Sequence, residues 1–245
     1  MADGRRFPTG VRLLAAAGLV AVGIAVGLLL GGRGGSPAPA PSPTAGTAGP
    51  VPAGSGPVLP DPGLPVLGFS DLTWLDFHGL ALPVSPTAGP HTLADDRASG
   101  FAHTPLGAAL AAIHIAVRTD AAVGAYIFEP TIAEQATGVD QPALLEQTRM
   151  TAAQRAVPAR LTGRFSGQGY RFVGVRFDAA APDRIVLYLA TDAEGPTSTT
   201  VYATVRIELR WERGDWRVVA PPGGLWSTVS TRIASTAGFQ LFPRR

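Results

Sequence analysis

The chain has 245 residues, 46% of them hydrophobic and only 16% charged, with 30 Gly, 23 Pro and a net charge of +2. That length allows one good-sized domain with appendages, and so mild a charge balance does not by itself point to nucleic acid. With no Cys, disulfides, thiolate catalysis, cysteine-type zinc clusters and a lipid anchor on cysteine are excluded.

Residues 1–12 form a short basic arm with Arg5, Arg6 and Arg12. Residues 13–31 follow as a predicted transmembrane helix, because Leu13 to Leu30 carries no charged or strongly polar side chain and about 18 apolar residues suffice to cross the hydrocarbon core. The arginines precede the span, so the positive-inside rule puts the N-terminus in the cytoplasm and the rest outside. A cleaved signal peptide is the competing reading. Against it stand an apolar run beyond the ~7–15 residues of an h-region and Pro41, directly after the nearest Ala-x-Ala at Ala38-Pro39-Ala40. Gly23, Gly27 and Gly31 share one helix face, a spacing that lets two spans pack closely, although small residues are also simply common in such spans. Residues 32–65 are Pro, Ala, Gly, Ser and Thr with almost no charge before Asp61. Such a segment cannot bury enough apolar surface to fold. It is expected to be a disordered tether with a reach on the order of 100 Å.

Residues 66–242 are expected to form one extracytoplasmic domain. Phe77 to Leu82 reads as a short strand and Val84 to Ala98 as loop. Gly100 to Arg118 is the clearest helix, with Thr104 as N-cap and Pro105 at its first position. Its many Ala and Gly residues predict burial on most sides, against a sheet. Phe128-Glu129-Pro130 is expected to break the chain, with a short helix over Thr131 to Ala136 closed by Gly138 and another over Gln141 to Val157. After Pro158 the period becomes strand-like. Tyr170 to Phe177 and Arg184 to Ala190 are predicted strands around a turn over Asp178 to Asp183. Val201, Ala203, Val205, Ile207, Leu209 and Trp211 alternate with polar residues, the mark of a half-buried strand. Arg213-Gly214-Asp215 then turns the chain into Trp216-Arg217-Val218-Val219, giving a hairpin. Helices followed by about four antiparallel strands argue an α+β class, with N-terminal helices packed on a curved antiparallel sheet.

Trp74…Gly79…Leu82-Pro83…Ser85…Gly89-Pro90, then Gly100-Phe101-Ala102-His103-Thr104-Pro105-Leu106-Gly107-Ala108, resembles an uncharacterised domain family of actinobacterial membrane-anchored proteins. The hairpin Trp211 to Val219 and the closing Gly238-Phe239 are similar to the same family, so the likeness covers roughly residues 66–242. An actinobacterial source also accords with the absence of Lys and Asn, whose codons are AT-rich. The W-x-x-G-D-W hairpin and the helix-then-sheet order resemble the nuclear-transport-factor-2-like cone. Arm, span, linker and cone together resemble the layout of type IV secretion inner-membrane scaffold proteins and of transfer proteins of Gram-positive conjugative elements. Proteins associated with lipid-importing cell-entry complexes share that layout, so architecture does not separate these roles.

None of His78, His91, His103 and His114 falls in a metal-binding or zinc-peptidase pattern. His114, one turn after Leu110, reads as a core histidine, and His103 as a capping or locally bonded one. Cones of the resembled type host acid–base chemistry in their mouths, for which the candidates here are His114, Asp120 and Tyr126. No Gly-x-Ser-x-Gly elbow, phosphate-binding Gly loop or paired-carboxylate motif occurs, so no catalytic, cofactor-binding or metal residue is assigned. Arg206, Arg210 and Arg217 share the polar side of the hairpin with Glu208 and Glu212. They either neutralise one another or face an anionic partner. The expectation is a non-enzymatic single-pass membrane protein without cofactor. Its extracytoplasmic domain would assemble with itself or other envelope or secretion proteins, without direct nucleic-acid contact. The alternative is a small-molecule binder or isomerase-like enzyme that uses the cone's interior.

Overall fold

The computed structural model describes residues 63–161, 163, 170–194 and 199–244. Two short hairpins come first. β1 (Thr73–Phe77) and β2 (Leu80–Val84) are joined by His78-Gly79, and β3 (Thr92–Ala94) and β4 (Arg97–Ser99) by Asp95-Asp96. All four turn residues have positive φ, at 50°, 90°, 51° and 60°, the conformation whose twist matches a two-residue hairpin. The single strand expected over 77–82 is therefore a turn flanked by two strands, and the loop expected over 84–98 holds a second hairpin. Helices do not come first. These strands have three to five residues, too few to display a period, and His-Gly and Asp-Asp mark a turn less plainly than Asn-Gly does.

α1 (Pro105–Arg118) starts as predicted, with the Thr104 hydroxyl accepting from the Gly107 amide at 3.1 Å. Every residue from Gly107 to Arg118 is buried. Asp120 caps a 3₁₀ turn over Ala121–Val123, and α2 (Ala125–Gln135) follows. α2 runs through Pro130, which corrects the break expected at 128–130. An interior proline costs about 3 kcal/mol, and here the burial of Ile127, Phe128, Thr131 and Ile132 on the same turns offsets it. β5 (Ala136–Thr137) and α3 (Gln141–Gln154) complete this layer.

The sheet strands are β6 (Tyr170–Ala181), β7 (Arg184–Glu194), β8 (Thr200–Glu212), β9 (Asp215–Val219), β10 (Ser230–Ile233) and β11 (Gln240–Leu241). Their order is β11-β6-β7-β8-β9-β5, and β10 pairs with the first half of β8 along the edge that β9 takes further on. All pairings in the sheet are antiparallel except β5 with β9, which is parallel, so the sheet is not purely antiparallel as expected. β6 and β7 run on to Ala181 and Glu194, past the expected ends at Phe177 and Ala190, because small residues without an apolar period still complete the ladder. The class is α+β, with three α-helices and one large sheet among the described residues.

One apolar cluster joins the inner face of the sheet (Leu187, Leu189, Val205, Ile207, Leu209, Val218) to α1, to Phe77, Leu80 and Leu82 of the first hairpin, and to Ile127, Phe128 and Ile132 of α2. α1 thus lies between the sheet and the other elements, and its run of Ala lets all of them approach. The C-terminal segment clamps the entry of the domain. The Gln240 side chain accepts from the Leu67 amide at 2.6 Å and donates to the Pro65 carbonyl at 2.8 Å. Phe242 meets the rings of Phe69 and Trp74 at 5.3 and 6.5 Å. Among the described residues no helix is long and apolar enough to cross a membrane. The predicted arm, the predicted span with Gly23, Gly27 and Gly31, and the tether as far as residue 62 lie outside the described residues.

Two substitutions probe this packing. Trp216 is 1% exposed, and its indole N–H donates to the Ala102 carbonyl at 2.9 Å. Trp216→Ala is expected to cost about 3–5 kcal/mol in denaturant titrations. A Cβ added at Gly107 would collide with the Ala102 carbonyl oxygen. Gly107→Ala should therefore lower the melting temperature, although Gly→Ala in an open helix interior gains about 1 kcal/mol.

Candidate functional site

His114 sits on α1 at zero exposure. Its Nε2 lies 2.9 Å from the Pro83 carbonyl, and its Nδ1 lies 3.0 Å from Nη1 of Arg118, one turn on. A guanidinium only donates, so Nδ1 must be the acceptor and Nε2 the protonated nitrogen that donates to Pro83. Burial first, and then the Arg118 charge, push the His114 imidazole down to about 3. The ring is thus neutral with both nitrogens occupied, and it ties β2 to α1 rather than offering a proton to a ligand.

Arg118 is 1% exposed. Burial lowers its guanidinium to about 9, with the Asp96 carboxylate acting in the opposite direction, so it stays charged at neutral pH. The Asp96 carbonyl accepts from its Nε at 2.7 Å, the His114 carbonyl accepts from Nη1 at 3.2 Å, and the Phe77 ring lies 4.3 Å away. Asp96 in turn meets His78 Nε2 at 3.1 Å. Arg118 therefore ties both hairpins to the end of α1. Sequence reasoning placed it only as the last residue of a helix, and a terminal arginine ordinarily signals a solvated C-terminus rather than a buried hub.

The other two catalytic candidates serve separate local structures. Asp120 accepts from the Ala122 amide at 2.8 Å as a cap. The Tyr170 phenol is driven up by burial and, secondarily, by the Asp120 charge. Tyr126 is 40% exposed, with the Arg160 guanidinium 3.7 Å from its ring centre. His103 stacks on Trp211 at 4.1 Å and meets Asp183 at 3.0 Å, which joins the start of α1 to the β6–β7 turn. Among the described residues no group of three or more His, Asp or Glu is placed to hold a metal ion.

Strand register brings Arg184, Arg210 and Arg217 into one row across β7, β8 and β9. Glu208 accepts from Arg184 at 2.9 and 3.0 Å and meets Arg210 at 3.3 Å. Hydrogen bonding from Arg184 is the main reason that its carboxyl is lowered. Arg206 meets Asp178 at 3.5 Å. Arg217 differs from the other two predicted partner-face arginines. Its Nε is buried without a hydrogen-bond acceptor, and it makes no ion pair with the described residues.

Arg217 also lines a cleft of about 230 Å³ at the β9 edge, walled by the β3–β4 hairpin and the end of α2. Thr92, Arg97, Ser99, Glu134, Gln135, Asp215 and Trp216 contribute to its surface. Arg97 pairs with Glu134 at 2.9 Å, and the Gln135 amide donates to the Ala98 carbonyl at 2.7 Å. Asp215 accepts from the Gly100 and Phe101 amides at 2.8 and 3.0 Å. This constellation was illegible in the sequence, because it depends on a hairpin that showed no period there.

A protein-family model described as Domain of unknown function (DUF8175) matches residues 35–241. No curated protein and no solved structure matches the chain.

The His114 geometry carries a pH dependence. The folded-state value of about 3 lies below the ordinary histidine value of 6.5, so the unfolded chain binds more protons between those limits. Stability therefore falls as pH drops from about 6.5 toward 3. Full-length protein melted across pH 7 to 4 should lose stability with a slope that a His114→Gln variant, once compared with its own value at pH 7, shows much less.

Proposed function

The chain belongs to the family described as Domain of unknown function (DUF8175), and from that footing we propose that it is a non-enzymatic, single-pass membrane protein whose extracytoplasmic domain assembles with other envelope proteins. The span is residues 13–31 with the N-terminus in the cytoplasm. The Pro-rich tether after it presents a nuclear-transport-factor-2-like domain away from the bilayer, in an actinobacterial envelope. Conjugative transfer and other cell-envelope complexes are the machinery that this layout would serve. The observation that carries the reading is the filled interior beneath the sheet. α1 and its apolar neighbours occupy it, and His114 there has a bonding partner on each ring nitrogen. That filling weighs against an interior small-molecule or isomerase-like site. The pinning of Pro65 and Leu67 by Gln240 adds a defined point at which a tether would enter a rigid domain.

Crosslinking of the full-length protein in its native membrane, with mass-spectrometric identification of the products, tests the reading. Secretion or transfer-channel components joined to residues 66–242 are the expected products. Recovery of the protein in a soluble fraction, or of no envelope partner at all, would count against it.

A further inference from the structure

We propose that the cleft beside Arg217 is a binding site for a single carboxylate group. Two independent features meet there. First, like charges directly opposite one another on neighbouring strands are destabilising, and the row Arg184–Arg210–Arg217 is relieved at one end only. Glu208 serves Arg184 and Arg210 and leaves Arg217 without a carboxylate among the described residues. Second, the buried Nε of Arg217 has no acceptor among the described residues, and a buried donor without a partner costs about 1–3 kcal/mol. That donor belongs to a residue that lines a concavity and not a flat surface.

The lining selects the ligand's charge and size. Arg97 and Glu134 neutralise each other across the rim. Asp215 is held by the amides of Gly100 and Phe101. Arg217 is therefore the cation of the cleft left without a counter-ion among the described residues. A planar guanidinium matches a carboxylate with two parallel hydrogen bonds. The Asp215 carboxylate in the same wall disfavours a dianion such as phosphate more than a monoanion. The hydroxyls of Thr92 and Ser99 supply neutral partners. The volume of about 230 Å³ exceeds the ~30 Å³ of a water many times over but lies below the ~300–1,000 Å³ of drug-sized sites. It suits a small monocarboxylate, either free or as the end of an Asp or Glu side chain. The site stands whether or not the domain is a membrane-tethered scaffold.

The indole N–H of Trp216, a residue of the cleft wall whose N–H is held by the Ala102 carbonyl, is the reporter. Its ¹H–¹⁵N signal in the full-length protein is followed at constant ionic strength through three titrations: propionate, a blocked-end peptide with one internal Glu, and inorganic phosphate. Saturable shifts with propionate alone assign the site to a free small carboxylate. Shifts with the peptide that propionate reverses assign it to a partner protein's acidic side chain. In either case Arg217→Gln weakens binding roughly tenfold or more. Arg217→Lys, which keeps the charge but not the fork, gives an intermediate loss, and Arg149→Gln, remote from the cleft, changes nothing. No saturable shift with propionate or peptide, phosphate binding as tight as propionate, or binding undiminished in both Arg217 variants would each overturn the proposal.

Discussion

The complete burial of one helix is the constraint on which this domain depends. Of the fourteen residues of α1, the twelve from Gly107 to Arg118 are buried. Buried helix faces are usually a stripe, with polar residues opposite. Here Ala108, Ala109, Ala111, Ala112 and Ala116 keep the helix thin enough for the sheet, two hairpins and α2 to reach it from different sides. Buried backbone groups in such a helix find their partners within the helix itself, so the polar demand concentrates at its two ends.

Each end is answered by residues distant in sequence. At the N-terminus Thr104 caps, Ala102 accepts the Trp216 indole N–H, and His103 bridges to the β6–β7 turn. At the C-terminus Arg118 turns inward and takes acceptors from Asp96 and His114. A buried charge persists only where hydrogen bonds and nearby opposite charge compensate for lost hydration, and Asp96 contributes to both. The same requirement explains why His114 is neutral: its Nδ1 lone pair is one of the acceptors that the guanidinium needs. The candidate acid–base residue is thus part of the scaffold that keeps a cation inside the core.

The proposed carboxylate cleft lies elsewhere, where elements distant in sequence meet at the β9 edge. β5 pairs with β9 only at Val218 and Val219, while the β3–β4 hairpin and α2 wall the preceding residues. The cleft forms between these two coverings. Its charge follows from register, because a one-residue shift of β8 against β9 would move Arg210 away from Arg217 and break the row.

The alternation from Val201 to Trp211, the Thr104-Pro105 start and the Ala-rich run after it carried their own physical signal. Period and capping chemistry depend on neighbours within a few residues, so the longest strand, the central helix and the α+β class were determined by sequence alone. The paired arginines of the hairpin were visible too, because alternation assigns them to one face. Tertiary structure alone decided the rest. The His78-Gly79 and Asp95-Asp96 hairpins are held by packing on α1, α2 passes through Pro130 while its apolar face is held, and β5 runs parallel because its chain passes beside β9. Arg118 inside and Arg217 without a counter-ion among the described residues are likewise settled by distance in space. A side chain's charge is local information, and whether that charge finds a partner depends on which distant segments the fold brings within about 4 Å.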